Sequence, residues 1–173
     1  MISKTAAIHR LNAASDAQAW NALSRCCGAS RWILKMMRAR PFCAAATLLE
    51  QSDAAFETLE RADWLEAFSH HPKIGDLESL RSKFAATRDW AGNEQAGTNA
   101  ADEATLRALA GGNSDYEQKF GFIFIICATG KSAEEMLLAL RARLPNAPEE
   151  ELHNAAQQQT QITRLRLRKL LAA

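Results

Sequence analysis

The sequence has no apolar stretch long enough to cross a membrane. Its longest apolar run, Phe120 to Ala128, is about half of the roughly 20 residues that a spanning helix needs, and Gly121 lies within it. The N-terminus has no apolar signal core followed by a cleavage site, and the last three residues are not a peroxisomal signal. We therefore expect a cytoplasmic protein with no membrane partner.

An excess of charge of one sign is also missing, and cysteine is scarce. The 21 basic and 20 acidic residues give a formal net charge of +1, so we expect no nucleic-acid partner. No CxxC pair occurs, and no two histidines have the i, i+4 spacing of a zincin. We expect reduced thiols and no metal site. The cysteines are Cys26, Cys27, Cys43 and Cys127.

What the sequence does have is apolar residues at helical spacing. Hydrophobic residues make up 47% of the 173 residues, enough for the core of one ordinary domain. Ser15 or Asp16 is placed to cap a helix over Ala17–Cys26, and Ser30 precedes a helix over Arg31–Arg38.

A third helical stretch is predicted to begin at Ser52–Asp53 and to end at Pro72, with Asp63 capping a second segment within it. Residues 77–85 predict another short helix, whereas residues 90–99 are polar and contain two glycines.

The C-terminal half predicts three more helices. The first covers Asp102–Phe120, interrupted or bent at Gly111–Gly112, and it passes into extended chain. A capping box beginning at Ser132 opens the second, and Pro148 lies in the first turn of the third, which runs to about Leu171. We predict an all-α, single-domain helical bundle over residues 1–173.

Two adjacent histidines are the first candidates for chemistry. His70 and His71 lie at a predicted helix end before Pro72, where the negative end of the helix dipole stabilises an imidazolium. Either one could act as a general acid, and only one is expected to face a given site, because neighbours on a helix point about 100° apart. The alternative is a histidine that only caps the last carbonyl groups.

Two further polar features are candidates for binding. Glu94 and Gln95 lie between small residues and offer acceptors and a donor suited to a urea edge; the alternative is a solvated loop. On the last helix, Arg166 continues an inward stripe and needs an anionic partner, either a buried carboxylate or a substrate, whereas Arg164 and Arg168 are expected to be solvated. The stripe consists of Leu152, Ala155, Gln159 and Ile162.

Taken together, these segments resemble one known family. The order CCGASRW…RPF, HHPKIGD, WAGNEQAG, NSDYEQKFGFIFIICATG and ITRLRL is similar to that of the 2-oxo-4-hydroxy-4-carboxy-5-ureidoimidazoline (OHCU) decarboxylases. The resemblance covers nearly the whole chain. It implies a helical bundle and cofactor-free decarboxylation of OHCU to (S)-allantoin, the last step from urate to allantoin. It also implies a homodimer.

The resemblance further implies the roles of particular residues. The catalytic histidine is the one directly before the proline, which is His71 here, and it delivers a proton to one face of the substrate. Arg166 matches the family's terminal arginine. The other expected substrate contacts are Pro72, the segment Ala91, Gly92, Asn93, Glu94 and Gln95, and the backbone of Phe124, Ile125, Ile126, Cys127 and Ala128.

One position departs from the family pattern. The family's SxxEQ segment begins with serine, and this chain has Ala91 there, so a hydroxyl contact to the substrate is absent or supplied elsewhere, by Thr87 or Ser69. The departure leaves an alternative function open, a catalytically inactive helical scaffold that binds a ureide or a pathway partner.

Overall fold

The computed structural model describes residues 4–71, 78, 80 and 96–172. Within these ranges the chain forms eight helices and no strand, which confirms the all-α fold class. None of the helices described is long and apolar enough to cross a bilayer. The helices are α1 (Lys4–Ala13), α2 (Asp16–Ser24), α3 (Ser30–Arg38), α4 (Ala45–Glu57), α5 (Arg61–Ser69), α6 (Ala96–Phe120), α7 (Ala133–Arg143) and α8 (Pro148–Leu170).

The chain divides into two compact units. The terminal unit comprises the described residues up to His71 together with those from Ala156 onwards, and the central unit comprises the described residues between them. Helix α8 begins in the central unit and ends in the terminal unit. The single domain expected over residues 1–173 stays a prediction.

The N-terminal helix boundaries agree with the predictions in part. Ser15 caps α2, since its Oγ accepts the Gln18 N–H at 3.3 Å, and α3 ends at Arg38 as expected. The predicted start at Ser52–Asp53 is wrong, because both residues lie inside α4. Asp63 lies within the first turn of α5, where it accepts the backbone N–H of residue 60 at 2.9 Å instead of preceding the helix.

Helix α3 lies at the centre of the terminal unit. Trp32 is buried, and its indole N–H donates to the Ser52 carbonyl of α4 at 3.3 Å. No side chain on α3 caps its N-terminus, and Glu66 of α5 does so instead by accepting the Ser30 N–H at 3.0 Å and the Ser30 hydroxyl at 2.5 Å. These bonds fix α5 against the beginning of α3. The largest buried side chains here are Leu23, Trp32, Met36, Leu48, Phe68 and Leu167.

The turn after α5 carries both histidines and packs on a glycine. The backbone N–H groups of His70 and His71 donate to the Ala67 and Phe68 carbonyls. A Cβ placed on Gly28 would lie 2.3 Å from Cγ of His70, so only glycine leaves room for that side chain. The absence of a side chain at Gly28 therefore sets the position of the turn.

In the central unit, α6 and α7 pack together around an aliphatic core. Helix α6 runs without interruption through Gly111 and Gly112, so of the two predicted alternatives the interruption is wrong and the bend stays a prediction. A Cβ on Gly112 would lie 2.6 Å from Cδ2 of Leu140, which shows that the glycine allows α7 to approach. The core cluster consists of Leu80, Leu106, Leu109, Met136 and Leu137.

Helix α6 ends as the sequence indicated. Gly121 follows it with φ of 77°, a conformation that glycine adopts without strain, and residues 123–128 are neither helix nor strand. The capping box at Ser132 is confirmed, since its N–H donates to Glu135 at 2.7 Å and its Oγ accepts the Glu135 N–H at 3.2 Å. The predicted final helix is confirmed as α8.

A buried carboxylate organises the polar interior of the central unit. Glu151 accepts hydrogen bonds from Arg143 Nε at 2.7 Å, from Asn146 Nδ2 at 2.8 Å and from the Tyr116 hydroxyl. Burial opposes ionisation of Glu151, but these donors outweigh it and lower its pKa. Arg143 also donates to the Ile125 carbonyl at 2.8 Å, so the same cluster holds the segment after α6.

Replacing the buried carboxylate tests this cluster. We expect Glu151→Gln to lower the free energy of unfolding by about 3–5 kcal/mol, because Arg143 keeps its charge and loses its partner. The exposed neighbour Glu150 provides the control, and Glu150→Gln should cost no more than about 1 kcal/mol. Chemical denaturation measures both values, and equal losses in the two variants would contradict the assignment.

The glycine contact predicts a double-mutant coupling. Gly28→Ala should lower the free energy of unfolding by about 1–3 kcal/mol, because the new methyl group overlaps the His70 side chain. Most of that loss should be recovered when His70→Ala is added, since the clash is then removed. If denaturation curves gave purely additive effects, the close approach would not be the cause.

Candidate active site

His71 is the candidate catalytic residue, and α8 supplies its hydrogen-bond partner. Its half-buried ring places Nε2 2.6 Å from Oε1 of Gln159. Burial lowers the pKa of His71, the Arg166 charge and His70 lower it further, and the bond to Gln159 opposes them. The sequence led us to expect stabilisation of the cation by the helix end, and the structure adds loss of solvent around the ring, which is the largest influence and favours the neutral form.

A chain of hydrogen bonds extends from Gln159 into the terminal unit. The Gln159 amide donates from Nε2 to the Thr163 hydroxyl at 3.1 Å. Burial raises the pKa of the nearby Cys27 thiol to about 11, and Thr163 is among the groups that oppose this shift. Gln159 and Thr163 are both fully buried. Gln159, the partner of His71, is therefore itself held in place by burial and by its bond to Thr163.

Arg166 lies on the same face of α8 as these two residues. Positions 159, 163 and 166 fall within about 60° of one another around the helix. The guanidinium is half-buried, and it donates to the Cys26 carbonyl at 3.4 Å. Since Gln159 on this face contacts His71, the two predicted site residues lie at one face of α8, and the Arg166 charge lowers the pKa of His71 after burial, the larger cause. Among the residues described, its partner is this carbonyl and not the buried carboxylate that was the alternative.

The neighbouring arginines require one correction. Arg168 is exposed as expected, but Arg164 pairs with Asp53 at 2.7 Å and is only 41% exposed, so its predicted solvation is wrong. The buried face of α8 also differs slightly from the predicted inward stripe. Thr163 is fully buried, whereas Ile162 is half-buried.

The predicted backbone contact segment lies in the central unit. Ile125 is buried, and its carbonyl accepts from Arg143, whose guanidinium lies 4.7 Å from the centre of the Phe124 ring. Ile126, Cys127 and Ala128 are half-buried. Their contact with substrate stays a prediction.

The remaining predicted contacts lie outside the described residues. These are Pro72, Ala91, Gly92, Asn93, Glu94 and Gln95. Within the part of the chain that is described, no three His, Cys, Asp or Glu side chains converge to hold a metal ion, and no disulfide joins the cysteines. Reduced thiols and a metal-free reaction both stay predictions.

Sequence reasoning did not identify the partners of His71. Gln159 was assigned to the inward stripe as a packing position, and Thr163 was not singled out. The sequence signal that could have identified these two residues was their residue type. An amide and a hydroxyl on an inward helical face need partners, and their spacing of four residues places them side by side.

Comparison with known proteins gives a consistent result. The sequence model of the OHCU decarboxylase family matches residues 12–168. The Arabidopsis thaliana uric acid degradation bifunctional protein TTL is 41% identical over 150 residues, covering 85% of this chain and 45% of that protein. The Amia calva 2-oxo-4-hydroxy-4-carboxy-5-ureidoimidazoline decarboxylase is 33% identical over 102 residues, covering 58% of this chain and 57% of its own length.

A solved structure is also similar. A crystal structure of OHCU decarboxylase in the presence of (S)-allantoin superposes with a TM-score of 0.69 at 37% identity, covering 87% of this chain and 96% of that one. The chain spans about half the length of the two relatives compared by sequence. Because the family model matches nearly the whole sequence, this chain belongs to the OHCU decarboxylase family.

Proposed function

We propose that the chain decarboxylates OHCU to (S)-allantoin without a cofactor, acting in the cytoplasm as a homodimer. The observation that carries the proposal is a half-buried histidine that contacts the face of α8 on which an arginine also lies. His71 has one ring nitrogen bound to Gln159, and the Arg166 charge is close enough to lower its pKa. This arrangement combines a group that transfers protons with a cation that attracts a carboxylate.

The reaction requires few groups besides a proton-transferring residue and a cation. Cleavage of the bond to the carboxylate leaves an electron pair on a ring carbon, and the adjacent C=N bond takes up the charge. The carbon that carries the ureido group then receives a proton, and the hydroxyl group becomes the carbonyl of allantoin. Since the substrate supplies its own electron sink, the protein has to orient the carboxylate and deliver the proton to one face.

Each of the predicted contacts would have its own part in orienting the substrate and delivering the proton. Arg166 would hold an anionic or carbonyl edge of the substrate, as its half-buried position and single carbonyl contact favour. Glu94 and Gln95 would bind the ureido and ring amide groups, and the backbone of residues 124–128 would border the ring. His71 would then act on a substrate whose reacting face is fixed, which accounts for a single enantiomer.

Substitution of His71 tests the proposed activity. His71→Asn and His71→Ala should reduce the rate of (S)-allantoin formation by about 100- to 10,000-fold, because no other group transfers the proton. Circular dichroism of freshly generated OHCU measures the product, since the uncatalysed reaction gives both enantiomers. His70→Gln is the matched control, and it should retain most of the activity.

Three results would count against the proposal. Full activity in His71→Asn would remove the role of His71, and loss of activity only in His70→Gln would assign it to the other histidine. Binding of OHCU by the unsubstituted protein without faster formation of (S)-allantoin would favour the inactive scaffold. The homodimer has its own measurement, because sedimentation of the purified protein gives the mass of the species in solution.

Arg166 offers a second, independent test. We expect Arg166→Gln to raise KM by about 10- to 100-fold, the loss that accompanies removal of one charged hydrogen bond. Arg168→Gln, one exposed residue nearby on the same helix, should leave KM within about twofold of the original value. Steady-state kinetics measures both constants. Equal KM values in the two variants would show that Arg166 does not hold the substrate.

A further inference from the structure

We propose that Gln159 is a positioning residue that holds His71 in the tautomer protonated on Nε2, so that Nδ1 is the nitrogen that transfers the proton. The proposal rests on the proposed function for its chemistry. Its structural basis is the 2.6 Å contact between Nε2 of His71 and Oε1 of Gln159. A carbonyl oxygen only accepts hydrogen bonds, so the ring nitrogen facing it must carry a hydrogen.

The orientation of the Gln159 amide follows from its other neighbour. Nε2 of Gln159 donates to the Thr163 hydroxyl at 3.1 Å. An amide nitrogen only donates and an amide oxygen only accepts, so with the nitrogen on Thr163 the amide oxygen is the atom that faces His71. Both contacts of Gln159 therefore fit one orientation of its amide.

With Nε2 occupied, Nδ1 is the ring nitrogen left for the reaction. Among the residues described, Nδ1 has no hydrogen-bond partner, and the charged or titratable groups that act on the ring are Arg166 and His70. Burial, Arg166 and His70 all lower the pKa of His71, against the bond to Gln159, and so favour the neutral ring, whose Nδ1 carries a lone pair.

A neutral His71 can move a proton within the intermediate. After CO₂ has left, Nδ1 accepts the hydroxyl proton of the anionic intermediate and leaves an enolate oxygen, which becomes the carbonyl when the ring C=C electron pair takes up a proton. Nδ1 then gives the same proton to the carbon that carries the ureido group, where the new C–H bond forms. Solvent protonates the nitrogen of the substrate ring that took up the negative charge. His71 is then again in its neutral state.

The tautomer can be measured without substrate. Two-bond ¹H–¹⁵N spectra of the full chain labelled with ¹⁵N-histidine distinguish a protonated from an unprotonated ring nitrogen, and His71→Asn identifies the signals. Above the pKa of His71 we expect Nε2 to be protonated and Nδ1 to be unprotonated. Protonation of Nδ1 in the unsubstituted protein would overturn the proposal, whatever the activity.

Two substitutions test the positioning role. Gln159→Leu should leave a mixture of tautomers and lower kcat by about 10- to 100-fold, as loss of a group that orients a functional histidine does elsewhere. Its KM should change little, because Gln159 does not touch substrate. Gln161→Leu, an exposed residue on the same helix, is the control and should retain the original kcat. A kcat for Gln159→Leu within about twofold of the original would overturn the role.

Gln159→Glu separates positioning from a purely structural contribution. A carboxylate beside Nε2 raises the pKa of His71, because it stabilises the imidazolium. Since the reaction needs the neutral ring, the acidic limb of kcat/KM should move to higher pH by about one unit or more. An unshifted limb would overturn the proposal. If the tautomer is as expected but the unsubstituted protein does not form (S)-allantoin faster, the proposed function fails, and the catalytic part of this inference fails with it.

Discussion

Burying polar side chains on α8 is the constraint on which the arrangement of the site depends. Glu151, Gln159 and Thr163 are all fully buried on this one helix. An unpaired polar group in such a position costs about 1–3 kcal/mol, and an unpaired charge costs more. Each side chain therefore has to find a partner on another element. Those partners are Arg143 and Tyr116 in the central unit, and His71 in the terminal unit.

The same requirement explains why His71 behaves unlike a histidine at an ordinary helix end. At an exposed C-terminus the helix dipole favours the imidazolium. Here the His71 ring contacts the buried amide of Gln159 and loses much of its solvent. Desolvation is the largest influence on its pKa. The sequence placed the histidine at a helix end correctly. It contained no information on how deeply that end is buried.

Local signals predicted those parts of the fold that local chemistry controls. The caps at Ser15 and Ser132 are confirmed because each is a bond between residues three positions apart. The start of α4 could not be read in this way, since its capping position, Ala44, has no side chain able to accept a hydrogen bond. The break expected at Gly112 was wrong for a related reason. A glycine can end a helix or admit a neighbour, and only the presence of Leu140 against it decides between them.

The choice between the two adjacent histidines is the clearest case of tertiary structure deciding what the sequence left open. By residue type and spacing alone, His70 and His71 were equivalent candidates. Gly28 has no side chain, so His70 packs where a Cβ would lie, while Gln159 accepts from the next ring. Gly28 and Gln159, which are remote in sequence, thus give the two adjacent histidines different surroundings. In the proposed reaction, a glycine and a glutamine therefore distinguish the histidine that is expected to transfer the proton from its neighbour.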